Sequence, residues 1–214
     1  MSGLKTRPAT GRVDVLRRVE APTVRSLLAS LRSHDAYTYR HSLRTVRLSL
    51  LLGRACGVEA PERLRALSLG AVVHDIGKVF IPGAVLHKPG RLTAEEWEAV
   101  KRHPLDGARM MLGAAASDGV RRVVAEHHER WDGRGYPLGL RGEEIDFNAR
   151  VVAVADAFDA MTSERPYRRA AGYEAAAAEL ERCAGTQFDP LVVLTFLRAA
   201  RSRLEAVIRP CAPG

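Results

Sequence analysis

Cysteine is scarce in this chain: Cys56, Cys183 and Cys211 are widely spaced, odd in number and contain no C-x-x-C pair. That pattern argues against a disulfide framework and against a zinc knuckle, so buried or inert thiols are expected. Aromatic residues make up only 6% of the chain, and no block of five or more Lys/Arg residues occurs. A single-strand nucleic-acid binder stacks bases on aromatics along a basic groove, so a nucleic-acid polymer is not the expected partner. Also missing is any run of about 18 apolar residues, and "MSGLKTRPAT" lacks the apolar core of a secretory signal. No membrane insertion is expected, and the default location is cytoplasmic.

Strand signals are equally thin. Strict two-residue alternation never persists, whereas apolar residues recur at helical spacing and Ala, Leu and Arg dominate. The expectation is an all-α fold in one compact domain, with residues 1–32 as a lead-in plus first helix (about 13–32) and residues 33–210 as the main domain. A net charge of +8 suits an anionic partner, or merely solvated arginine-rich helix faces.

Local signals place the elements. A second helix is expected over about 38–55, and a third begins at Pro61, a residue suited to a first helical turn. Leu64, Leu67, Ala71 and His74 share a stripe on it, so its last turn delivers His74 inward. Thr93 and Glu96 form a capping-box pattern. Pro104 disfavours helical geometry at His103 and marks a break between two helices. Val120, Val123, Val124 and His127 define another inward stripe; Gly133, Gly135, Pro137, Gly139 and Gly142 then punctuate a Gly/Pro-rich loop over 131–145. Asp156 shares an apolar face with Ala149, Val152 and Ala153, an expensive place for an acid unless a cation meets it. Asp189 before Pro190 caps a last helix.

His41, His74, Asp75, His103, His127, His128 and Asp156 thus fall on or beside inward faces of several helices. Any one histidine is most simply a satisfied core residue. Seven such groups buried together would leave many polar atoms unpaired without a cation. Imidazole with carboxylate suits Fe, Mn or Zn. The adjacent pairs His74-Asp75 and His127-His128 point about 100° apart on a helix and serve two ions better than one, with a carboxylate able to bridge them. Two metals about 3.5–4 Å apart can hold a hydroxide and clamp a phosphoryl group, so phosphoester hydrolysis is the expected chemistry.

The ordered segments "DAYTYRHSLRTVRLS", "VVHDIGKVFIP", "LHKPGRLTAEEWEAVKRHPLDGARMML", "EHHERWDGRGYPLGLRGEEI", "ARVVAVADAFDAMTSERPYR" and "GTQFDPLVV" resemble the HD-GYP family. This is the cyclic di-GMP phosphodiesterase branch of the HD phosphohydrolases. The likeness runs from about Asp35 to about Leu197 and implies a helical HD-domain bundle with a GYP loop. Carried over by position, it implies metal ligation by His41, His74, Asp75, His103, His127, His128 and Asp156, with Asp75 as the bridge. It further implies two divalent ions, iron or manganese. Members with a third metal have glutamate four residues before the first histidine, where this chain has Tyr37. Lys78 matches a phosphate-contacting lysine with a catalytic role, and Arg165 and Arg168 match residues that hold phosphate and guanine. Tyr136 is expected to contact a guanine face and Trp131 to anchor the loop. Asp159, grouped with the substrate-binding residues, could orient Lys78 or a metal-bound water, or cap polar groups locally. Glu129 is a candidate partner for the imidazoles, while His34 and His87 match no motif and should be exposed. Gly83, where the family usually has Asp, and Phe80, in place of a small residue, are departures near the substrate mouth.

The resemblance implies hydrolysis of cyclic di-GMP to pGpG and/or GMP through a metal-bridging hydroxide. Rival readings are a module that senses cyclic dinucleotides or docks GGDEF-type or other signalling proteins through the GYP loop, and a phosphodiesterase for another cyclic dinucleotide. The segment before Asp35 is too short for the sensory or receiver domain usual in the family. Control is therefore expected from metal occupancy, a partner protein or expression.

Overall fold

A computed structural model describes residues 22–114, 116–164 and 170–199. Among these described residues ten α-helices follow one another: α1 (Pro22–His34), α2 (Ala36–Ala55), α3 (Pro61–Val73), α4 (Gly83–Leu86), α5 (Ala94–Lys101), α6 (His103–Gly113), α7 (Asp118–Glu126), α8 (Phe147–Thr162), α9 (Tyr173–Arg182) and α10 (Pro190–Arg198). Two 3₁₀ turns, Ile76–Phe80 and Gly142–Glu144, interrupt them. Among the described residues the only β pairing is an isolated bridge between Ala184 and Phe188, and no helix is long and apolar enough to cross a membrane. The all-α expectation holds.

The helix ends follow side-chain chemistry. Asp35 caps α2 by accepting from the Tyr37 amide at 2.8 Å and from the Thr38 hydroxyl, so this helix begins two residues before the expected 38. The capping box at Thr93 is present: Glu96 N–H donates to Thr93 Oγ1 at 3.2 Å, and Thr93 N–H donates to the Glu96 carboxylate at 2.7 Å. The break ahead of Pro104 falls at Arg102, with His103 already in the first turn of α6. Of the first helix, only the part from Pro22 lies within the described residues.

The centre of the molecule is the packing of α2 on α3 and α8, and of α7 on α3 and α6. Leu67, Val72, Val73, Ile76, Val123, Val124, Val152 and Phe158 are fully buried there. Each such side chain contributes roughly 1.5–3 kcal/mol of hydrophobic free energy, so this core fixes where the ends of α3 and α7 lie. Gly77 has a specific steric task. A Cβ on it would run into the carbonyl of His103 and lie 2.7 Å from the Gly107 amide nitrogen. Only glycine lets the turn after His74-Asp75 seat directly on the first turn of α6.

Gly77→Ala should therefore force that contact apart. The expected outcome is a loss of about 1–3 kcal/mol in chemical denaturation, the usual cost of overpacking. A loss below about 0.5 kcal/mol would mean that the contact relaxes freely.

Candidate metal centre

Two helix C-termini and the junction of α5 with α6 converge on one point. His74 follows the last residue of α3, His127 follows the last of α7, and His103 begins α6 just beyond α5. Helix C-termini carry partial negative charge and favour cations. The three imidazoles also share one tether. His74 Nδ1 lies 2.8 Å from the Ala71 carbonyl, His103 Nδ1 2.8 Å from Val100 and His127 Nδ1 2.8 Å from Val124, each three residues back. A carbonyl only accepts, so Nδ1 must carry the proton and donate it. Each Nε2 lone pair is thereby turned inward, as a metal-binding imidazole requires.

Asp75 lies in the middle, 1% exposed. Its Oδ1 is 3.3 Å from His103 Nε2 and 3.9 Å from His127 Nε2, while its Oδ2 is 3.4 Å from His74 Nε2. Among the described residues two potential cation-binding groups result: His41, His74 and Asp75 form one, and Asp75, His103, His127 and His128 the other. Within each, the ligand atoms lie within 4.8 Å of one another, and Asp75 belongs to both. The seventh candidate, Asp156, stands beside the first group, with Oδ1 2.8 Å from His41 Nε2 and 3.9 Å from His74 Nε2. His74 Nε2 and Asp75 Oδ1 are buried yet make no hydrogen bond. Orphaned acceptors in a dry imidazole and carboxylate cluster are costly without a cation, so the donor set fits divalent metal.

Some residues outside this centre differ from expectation. Asp159 faces His41 and Arg44 rather than Lys78. It is fully buried, with Oδ2 2.6 Å from His41 Nδ1 and both oxygens held by Arg44 at 2.7 and 3.0 Å. It sets the orientation of His41, a role the backbone plays for the other three. Arg44 carries no motif signal beyond sharing the His41 face three residues on. Lys78 instead meets Asp75, Nζ to Oδ2 at 2.6 Å. Glu129 does not serve the imidazoles either: it accepts from the amides of Leu138, Gly139 and Leu140 at 2.6, 3.2 and 3.1 Å. The loop over 131–145 is therefore clamped to the end of the histidine pair. At Gly135 a Cβ would collide with the Arg130 amide and lie 2.5 Å from Glu129 Cα, which is why that loop position admits no side chain.

Trp131 anchors the loop as expected. Its backbone bonds Gln187 and Gly142, and the Arg150 guanidinium lies over its ring. Tyr136 packs on His128, with ring centroids 4.9 Å apart, and lines the cavity above the centre. Tyr37, in the third-metal position, lies parallel to the His41 ring at 6.4 Å. His34 and His87 are exposed, as is Phe80, which lines a separate pocket with Ala99, Arg102 and Asp106 rather than the cavity over the histidines. Arg165 and Arg168 lie outside the described residues, as does Cys211; Cys56 and Cys183 are free thiols.

The two groups differ in protonation. Burial disfavours a charged His41, but the hydrogen bonds it donates to Asp156 and Asp159 outweigh it and push the imidazole up to about 9. Burial, then repulsion from neighbouring imidazoles, pulls His127 well below its ordinary value and His128 down to about 3. Lys78 and His74 hold Asp75 well below the usual carboxylate range despite burial, which acts the other way.

The model of the HD domain family matches residues 24–192. A cyclic di-GMP phosphodiesterase of Pseudomonas aeruginosa is 44% identical over 176 residues, 80% of this chain and 41% of the relative. A cyclic di-GMP phosphodiesterase response regulator of Xanthomonas campestris is 40% identical over 190 residues, 88% and 50% respectively. The chain thus spans half or less of the length of these relatives. Among solved structures, a cyclic GMP-AMP specific phosphodiesterase of Vibrio cholerae superposes with a TM-score of 0.63 at 17% identity, over 91% of this chain and 53% of that one.

A cation entering the His41 group must displace a proton held up to about pH 9, whereas His127 and His128 are already neutral near pH 7. Manganese affinity of the first group should therefore rise with pH below about 9 and level off above it, with about one proton released per ion at pH 7.5. Calorimetry in buffers of different ionisation enthalpy measures that release. A pH-independent first-group affinity over pH 6–9 would contradict it.

Proposed function

The chain belongs to the HD domain family, and on that premise we propose that it is a metal-dependent phosphodiesterase that opens cyclic di-GMP to pGpG, with GMP following from a second cleavage. The observation that carries the reading is the position of Asp75, with one carboxylate oxygen toward each of two histidine groups. In this reading His41, His74, Asp75 and Asp156 hold one cation, and Asp75, His103, His127 and His128 hold the other. Iron or manganese is the choice that the HD-GYP resemblance favours. Divalent ions there supply Lewis-acid polarisation of a phosphate oxygen and lower the pKa of water.

The chain's own groups account for the rest. A cavity of about 580 Å³ opens over His127, His128 and Asp156, within the size range of small-molecule sites. Water adds to phosphorus, the bond to the ribose 3′ oxygen breaks, and that oxygen leaves with a proton. Lys78 stands at the edge of the centre with its side chain 22% exposed. From there its ammonium can meet a non-bridging phosphate oxygen or the departing oxyanion. The buried Asp159 and Arg44 pair holds His41 fixed while this occurs. The similar cyclic di-GMP phosphodiesterases of Pseudomonas aeruginosa and Xanthomonas campestris support the choice of substrate.

Protein purified without oxygen and loaded with iron or manganese should hold two ions per chain and release pGpG from cyclic di-GMP. Turnover absent from a chain holding both ions would sink the enzyme reading and favour a sensing or docking module. Asp75→Ala should lose both turnover and bound metal. Lys78→Ala should slow turnover by roughly 10²–10³-fold at full metal content; loss of the ions would instead give Lys78 a structural task.

A further inference from the structure

Helix α5 is hard to explain as a structural element. None of its eight residues is buried, so it draws almost nothing from the core, yet its start is held firmly. Glu96 completes the capping box and is gripped by Lys88 at 2.7 and 3.0 Å. The next residue, Trp97, is 45% exposed. Its ring meets Tyr136 edge-on at 6.2 Å, and Tyr136 in turn lies on His128. Trp97, Tyr136 and His128 therefore form a continuous aromatic wall running from the histidine cluster to the rim of one cavity.

Lys101, one turn after Trp97 on the same helix face, lines the same cavity, as does Arg134 from the loop. The ion pair of Lys101 with Glu98 is solvent-exposed, a kind of pair worth little and readily exchanged for a phosphate. An indole left open to solvent on a rigid mount, with cations beside it and a phosphate-cleaving centre at the far end, has the chemistry of a nucleobase platform.

We propose that Trp97 is a specificity-determining residue: with Tyr136 it forms a subsite that stacks one purine base of the dinucleotide while Lys101 and Arg134 face its phosphate. This rests on the phosphodiesterase reading above and adds a residue to it. Trp97 touches base, not the reacting phosphate, so it governs substrate affinity rather than the chemical step.

The test uses manganese-loaded protein and Trp97→Phe. The chain has two tryptophans, Trp97 and Trp131, so the difference in emission between wild type and Trp97→Phe isolates Trp97. GMP, which the proposed reaction does not consume, should quench wild-type emission. In Trp97→Phe that quench should vanish. KM for cyclic di-GMP should rise about tenfold in Trp97→Ala, the weight of one stacked base, and by less in Trp97→Phe, which keeps a stacking ring, with kcat within about twofold and manganese content unchanged in both. A wild-type KM in Trp97→Ala, or GMP binding by calorimetry with emission unaltered in the wild type, would overturn the platform. Wild-type protein that cleaves no cyclic dinucleotide overturns the phosphodiesterase reading instead, and the GMP titration then decides the subsite alone.

Discussion

Everything at the centre of this molecule depends on where one carboxylate sits. Asp75 is 1% exposed and offers Oδ1 to His103 and His127 while offering Oδ2 to His74 and Lys78. A buried carboxylate between inward imidazole lone pairs is tolerable only if positive charge faces it from both sides. In the chain itself Lys78 supplies one such charge, and the donor geometry calls for cations to supply the rest. The close seat of Gly77 on α6 and the packing of α3 against α7 serve this placement, because a small shift of either helix would carry an oxygen out of reach of its group.

The way the imidazoles are held is economical in sequence terms. Three of them use the carbonyl three residues earlier as their tether, so any histidine at the end of a helix can be locked without a dedicated partner. His41 lies within α2, where carbonyls are already engaged, and it needs the Asp159 and Arg44 pair instead. That difference also separates the protonation of the two groups. Acids surround His41, and imidazoles surround His127.

Much of this was legible from residues alone. The stripes ending in His74 and His127 gave the inward direction of those side chains, since burial of Leu67, Ala71, Val123 and Val124 leaves the next helical position no other way to face. The capping box at Thr93 and the break before Pro104 were local and readable within a residue or so. Partners across the fold were not. The spacing of Asp159 from Asp156 shows a shared face but not what lies opposite, and Arg44 is 115 residues away. Glu129 adjoins the histidine pair in sequence, whereas the amides that claim it come from a loop whose return path only the fold reveals. Its glycines mark a loop in the sequence; three amide bonds to one buried acid make it part of the site's wall.

The central claim is that a single aspartate joins two cation sites. Anomalous scattering from manganese-loaded crystals tests it most directly. Two peaks about 3.5–4 Å apart, one bounded by His41, His74 and Asp156 and the other by His103, His127 and His128, with one Asp75 oxygen on each, is the predicted result. A single peak at full occupancy, or two peaks with Asp75 reaching only one, would contradict it.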